Sequence, residues 1–69
     1  LKCTGAITIT IPSSLSANEI EIMNYGTNTV TVTAAAAVTL NGVAGSSKTI
    51  PNQYTSAVLK CVGSNEWVI

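Results

Sequence analysis

Isoleucine or valine alternates with threonine or glutamate in three places, and that alternation limits what the chain can become. Ile7, Ile9 and Ile11 are separated by Thr8 and Thr10, and Ile20 and Ile22 are interleaved with Glu19 and Glu21. Val30 and Val32 stand among Thr29, Thr31 and Thr33. A period of two sorts the residue types onto opposite faces of an extended strand, whereas a helix would scatter them. β-branched side chains also lose freedom in a helix and fit a pleated surface. Half-buried strands with their aliphatic side chains turned to one core are therefore predicted. Between Ile22 and Val30 lies Asn24-Tyr-Gly-Thr-Asn28, whose Gly26 and two asparagines suit a turn with positive φ. An antiparallel hairpin about that turn is expected, running from Glu19 to Thr33 and continued by Ala34 to Leu40.

Turn residues divide the remainder at short intervals. Pro12 stops the first strand by removing a donor, and Ser13 to Asn18 reads as a loop. Ala34 to Ala37 are good helix formers in isolation. Their place between a β-branched run and Val38-Thr-Leu40 predicts an extended or bulged segment instead. Asn41-Gly42 is the strongest short hairpin signal in the chain. Ser47 to Ile50 is a strand closed by Pro51, and Asn52-Gln53 turns the chain into Tyr54 to Val62. That run has apolar residues on both parities (Ala57, Leu59 and Cys61 against Val58 and Val62), which predicts a strand that is central or covered on both faces. Gly63 to Asn65 is a turn, and Glu66 to Ile69 is the last strand. The spacing of these signals predicts an all-β fold, a small antiparallel β-sandwich or partly open barrel of about six to seven short strands. Residues 1–69 form a single β-domain, with Leu1 at one end and an apolar Trp67-Val-Ile69 run at the other, as expected of a piece of a longer chain.

Composition narrows the function. Charged residues are 9% of the chain and the net charge is zero, against about 25% charged in an ordinary soluble domain. A free monomer of this kind lacks colloidal repulsion, so coverage by copies of itself or by a larger assembly is expected. No Arg, Asp or His is present, and the three lysines are scattered. A nucleic-acid footprint is thus absent. No apolar run reaches the length of a membrane span, so neither nucleic acid nor membrane is an expected partner.

Catalysis is not expected either. Glu19 and Glu21 share a strand face, and paired carboxylates do acid–base work in glycosidases, but here they read as the solvated side of an amphipathic strand. With no histidine, a serine nucleophile has no ordinary base. Two cysteines without a third ligand make no metal site, and no cofactor is implied. Cys3 and Cys61 are either a disulfide closing most of the chain or two free thiols of a reducing compartment. Trp67, Val68, Ile69, Val30 and Val32 are the candidate core or interface anchors. Tyr25, with Asn24 and Asn28, is the candidate ligand contact, and Gly26, Asn41 and Gly42 are the turn residues. The outward threonines Thr8, Thr10, Thr29, Thr31 and Thr33 form an array like that of ice-binding surfaces, which strand propensity alone also produces.

Three segments carry a family likeness: Ile7-Thr-Ile-Thr-Ile-Pro12, Asn24 through Asn41-Gly42, and Tyr54 through Trp67-Val-Ile69. Together they resemble a small β-module of tailed-bacteriophage virion proteins, of the kind found in capsid-decorating proteins and in head and tail fibres. The resemblance implies a sandwich-like domain, a homotrimer in many cases, displayed on the virion surface and assembled in the bacterial cytoplasm with reduced cysteines. Its implied partners are copies of itself and other virion proteins of capsid or tail. The expected function is non-enzymatic: a decoration or fibre module that stabilises the particle. A receptor-binding fibre tip that recognises host glycan is the alternative. A secreted adhesin or ice-binding domain held by a Cys3–Cys61 bond is a further one.

Overall fold

The computed structural model describes all 69 residues and contains strands and turns but no helix. Nine strands follow in order: β1 (Lys2–Cys3), β2 (Thr8–Ile11), β3 (Glu19–Asn24), β4 (Val30–Ala34), β5 (Thr39–Leu40), β6 (Val43–Ala44), β7 (Ser47–Ile50), β8 (Thr55–Gly63) and β9 (Glu66–Val68). They form a six-stranded sheet ordered β1-β3-β8-β9-β5-β6 and a three-stranded sheet ordered β2-β4-β7. The all-β, sandwich-like character is as expected, and the nine strands exceed the six to seven predicted because three of them are only two residues long.

Pairing differs from the antiparallel expectation. β3 and β4 do not form a hairpin: β3 pairs with β1 and β8, whereas β4 pairs with β2 and β7 in the other sheet. Each has one aliphatic face, and two such strands bury those faces by lying in opposite layers as well as by lying side by side. The local turn decides between the two arrangements. None of residues 24–28 adopts positive φ, so the reversal a tight hairpin needs is missing and the segment crosses from one layer to the other. The first four strands thus alternate between sheets. The β1–β3 and β2–β4 pairs are consequently parallel, as is β5–β9. Gly26 serves a different purpose from the predicted one. A Cβ there would lie 2.5 Å from the Thr4 carbonyl oxygen, so the glycine permits close approach of two backbones.

Asn41-Gly42 does make its hairpin. Leu40 pairs with Val43 across it, and φ is 55° and 84° at the two residues, both positive as a type I′ turn requires. Ser47–Ile50 and the Gly63–Asn65 turn are also as expected. Ala35 to Val38 is a tight turn, closed by the Val38 amide donating to the Ala35 carbonyl at 2.9 Å, in place of an extended or bulged run. The first strand is shorter than predicted: Ile11 is buried and Ile9 half-buried, but Ile7 precedes the strand and is exposed.

The core lies between the layers. Ile22, Leu40, Leu59 and Trp67 come from the larger sheet and Ile11, Val30, Val32 and Ile50 from the smaller, with Val38 from the connecting turn. The one buried polar residue is Asn24. Its amide nitrogen donates to the carbonyls of Ile50 (2.7 Å) and Asn28 (2.8 Å), and its oxygen accepts from the Gly26 amide (3.1 Å). One side chain at the end of β3 thereby holds the crossover and reaches the end of β7 in the opposite sheet.

Asn24→Ala leaves those groups without partners inside the protein and is expected to destabilise it by about 2–4 kcal/mol. Thermal denaturation followed by circular dichroism reads this as a drop of roughly 10–25 °C in Tm. Asn24→Asp, the same size but without the two N–H donors, should be at least as damaging at neutral pH. Gly26→Ala should cost about 1–3 kcal/mol through the displaced Thr4 backbone.

Candidate functional site

The two sheets turn very different outer faces to solvent. On the smaller sheet, register places Thr8, Thr31 and Thr49 in one row and Thr10, Thr33 and Ser47 in the next. That face presents six hydroxyls with no charge and no large apolar group. Thr29 lies just outside it, ahead of β4, while Thr49 and Ser47 extend an array that the sequence showed on only two strands.

On the larger sheet, β3, β8 and β9 present charge and hydrocarbon together. Glu19 lies opposite Lys60 and Glu21 opposite Val58, while Lys60 also faces Val68. Lys2 and Glu66 are exposed as well, next to the buried Cys3 and Trp67. Of the six charged residues, only Lys48 lies on the smaller sheet. Glu19 and Glu21 therefore belong to a mixed solvated face and converge on no common point. No group of three or more His, Cys, Asp or Glu side chains comes together to hold a metal ion.

β8 is central in its sheet, as its composition predicts, but only one of its faces is covered. Leu59 is fully buried, whereas Val58 is 37% and Val62 60% exposed. Val62 is the unpaired residue of a bulge between Cys61 and Gly63, and a bulge interrupts the ladder and bends its strand. Val68 on β9 is exposed to the same extent as Val58. These three valines lie around Lys60 in a continuous region of β8 and β9.

The remaining anchors divide. Trp67, Val30 and Val32 are buried in the core, and Ile69 is half-buried against it, its amide donating to the Asn41 side chain at 3.0 Å. Trp67 forms the floor of an open groove of about 670 Å³ between the Ser14–Asn18 loop and the Gly63–Asn65 turn, with Cys61 in its wall. The Asn65 side chain accepts from the Ser14 amide across this groove at 2.7 Å.

Asn24 is not a ligand contact, because burial and three internal hydrogen bonds occupy it. Asn28 is exposed, and its carbonyl is taken by Asn24. Tyr25 does stand out in solvent, and the structure brings it a partner that sequence reasoning placed only as the start of a strand. Tyr54 packs edge-to-face against it, with ring centroids 5.7 Å apart at 90°. The Lys2 ammonium sits 4.7 Å from the Tyr25 ring centroid. Tyr54 has φ of 61°, a conformation that costs a non-glycine residue on the order of 1–3 kcal/mol.

The cysteines are free, and geometry excludes a bond between them within one chain. Cys3 pairs with Asn24, which lies opposite Thr55. Cys61 is six residues further along β8, on the order of 20 Å away at strand rise, whereas a disulfide bridges Cα atoms no more than about 7 Å apart. The disulfide-held secreted domain is thereby ruled out in that form. No helix is long and apolar enough to cross a membrane.

No protein-family profile, curated protein or solved structure matches this chain.

The burial of the two thiols generates a direct expectation. With a chromogenic thiol reagent, native protein should react once per chain, at Cys61, and the second equivalent at Cys3 should appear only on unfolding. Equal reactivity of both in the native state would contradict the placement of Cys3 in the core.

Proposed function

We propose that this protein is a non-enzymatic structural module of a bacteriophage virion, which decorates the capsid or projects from the particle as part of a fibre and stabilises the assembly. The observation that supports the reading best is the outward side of β8 and β9. A core of this size leaves Val58, Val62 and Val68 uncovered on the larger sheet, set about Lys60 and flanked on β3 by Glu19 and Glu21. Exposed aliphatic side chains with a lysine among them and carboxylates on the neighbouring strand offer a partner both apolar area to cover and charges to pair. The mechanism is mass action: a partner that binds only the folded domain raises its stability in proportion to the logarithm of partner concentration. Copies of the same chain, as a homotrimer, and other virion proteins are the partners.

The uncharged hydroxyl face of the smaller sheet fits the same reading. It supplies hydration without charge, so solubility depends on the exposed valines of the larger sheet being covered. The likeness of Asn24–Gly42 and Tyr54–Ile69 to phage modules supplies the virion setting, and the reduced cysteines agree with assembly in a bacterial cytoplasm.

Light scattering of the intact protein across a dilution series tests the reading. A trimer is expected, and Val58→Glu or Val62→Glu should dissociate it. Covering one apolar side chain contributes about 1.5–3 kcal/mol, so each substitution should weaken association about tenfold or more. Both positions are exposed within the single chain, so the variants should still fold. A monomer at every concentration, or an oligomer indifferent to both substitutions, would overturn this assignment of the face.

A further inference from the structure

We propose that the cleft between Tyr25 and Tyr54 binds one neutral pyranose ring of a glycan. The cleft is small, about 130 Å³, and is lined by Met23, Tyr25, Tyr54, Thr55 and Ser56 where β3 meets the start of β8. Its carrying feature is the backbone of Tyr54. Four residues other than glycine have positive φ: Ser14, Asn41, Asn65 and Tyr54. Asparagine accepts that conformation readily, and small polar residues are common in turns. A tyrosine does not, and the packing it gains here is one edge-to-face contact with Tyr25, since Tyr54 is 73% exposed. Two hydrogen bonds nevertheless fix it. Its amide donates to the Asn24 carbonyl at 2.6 Å, and the neighbouring Gln53 side chain donates to the Tyr25 carbonyl at 3.1 Å. Strain held in place for so small a packing return is characteristic of a binding position.

The surroundings select the ligand. Lys2 occupies the Tyr25 ring, which leaves Tyr54 as the platform. An aromatic face attracts an apolar surface, and the cleft offers the hydroxyls of Thr55 and Ser56 beside the side chain of Met23. The Thr55 hydroxyl already donates to the Asn52 carbonyl at 2.6 Å, so its free capacity is as an acceptor. A pyranose has both surfaces required, a face of C–H groups and an edge of hydroxyls. No carboxylate lines the cleft, and Lys2 is engaged with Tyr25, which favours an uncharged sugar. The volume admits one ring. With about a dozen non-hydrogen atoms, such a ligand should bind in the millimolar range.

The assembly reading is not a premise of this one, and the two fail separately: dilution tests the first and sugar titration the second. The intact ¹⁵N-labelled protein would be titrated with the methyl pyranosides of glucose, galactose, mannose and N-acetylglucosamine, to concentrations on the order of 50 mM. Amide shifts confined to residues 23–25 and 53–56 are expected for at least one of them. Tyr54→Ala should weaken that sugar at least tenfold, whereas Tyr54→Phe should retain most of the affinity. Tyr54→Gly is the sharper variant, because it removes the ring and relaxes the backbone together: binding should be lost while Tm holds or rises. The proposal is overturned if no pyranoside shifts these amides, if Tyr54→Ala binds as well as the parent, or if Tyr54→Gly lowers Tm, which would make the ring part of the fold.

Discussion

The carboxamide of Asn24 is where the two layers of this protein are joined by something other than hydrocarbon. Aliphatic contacts between the sheets are interchangeable, since one branched side chain slides past another at small cost. A buried amide is not. Its two donors and its acceptor are all used, by Ile50 and Asn28 on one side and by Gly26 on the other. Asn28 and Gly26 lie outside the strands and have no sheet neighbour, and backbone groups removed from water need partners. The path from β3 to β4, the relative position of the layers and the end of β7 all follow from that one side chain. The site at Tyr25 and Tyr54 depends on it as well, because the Asn24 carbonyl accepts the Tyr54 amide.

Much of the secondary structure was legible because period-two alternation has few alternative meanings. The strands around Ile9, Ile22, Val30 and Ile50 lie where isoleucine, valine and threonine put them, and Asn41-Gly42 turned the chain as its dihedral demands required. Layer assignment was not legible. A strand with one apolar face states that it faces a core, without stating from which side, and only the conformation at residues 24–28 settles the matter. That conformation rests on Asn24 being inside and on Gly26 meeting the Thr4 backbone, both long-range facts. The same holds for the candidate site. Tyr25 could be chosen from its turn, but Tyr54 reads as an ordinary strand residue until register brings it opposite and its φ proves to be positive. Apolar residues on both parities marked β8 as central or doubly covered, and only the first holds, because a valine on an outer face reads the same in sequence as one in a core.

Separation of chemistry between the faces follows from the same economy of charge. Six charged side chains cannot coat a whole domain, and nearly all of them fall on the sheet that also exposes Val58, Val62 and Val68. Charges arranged around apolar residues give orientation to a contact, since like charges set against each other are unfavourable and opposite ones guide approach. The threonine rows of the smaller sheet carry no such directional information. In the proposed assembly, the first face determines how copies meet and the second is left to the surroundings.

The order of strands in the larger sheet also sets the time at which it can form. β5 and β6 hydrogen-bond to the rest of that sheet only through β9, and β1 and β3 only through β8. Residues made early thus wait for neighbours made late, and β3 has no antiparallel partner until residues 55–60 are available. Such non-local pairing folds slowly and keeps aliphatic faces open meanwhile. During synthesis all strands of the smaller sheet are therefore present once Ile50 is made, while the larger sheet still waits for β8 and β9. The few residues of β9 then join the two parts of the larger sheet, so the layer that carries nearly all of the charge is the last to close.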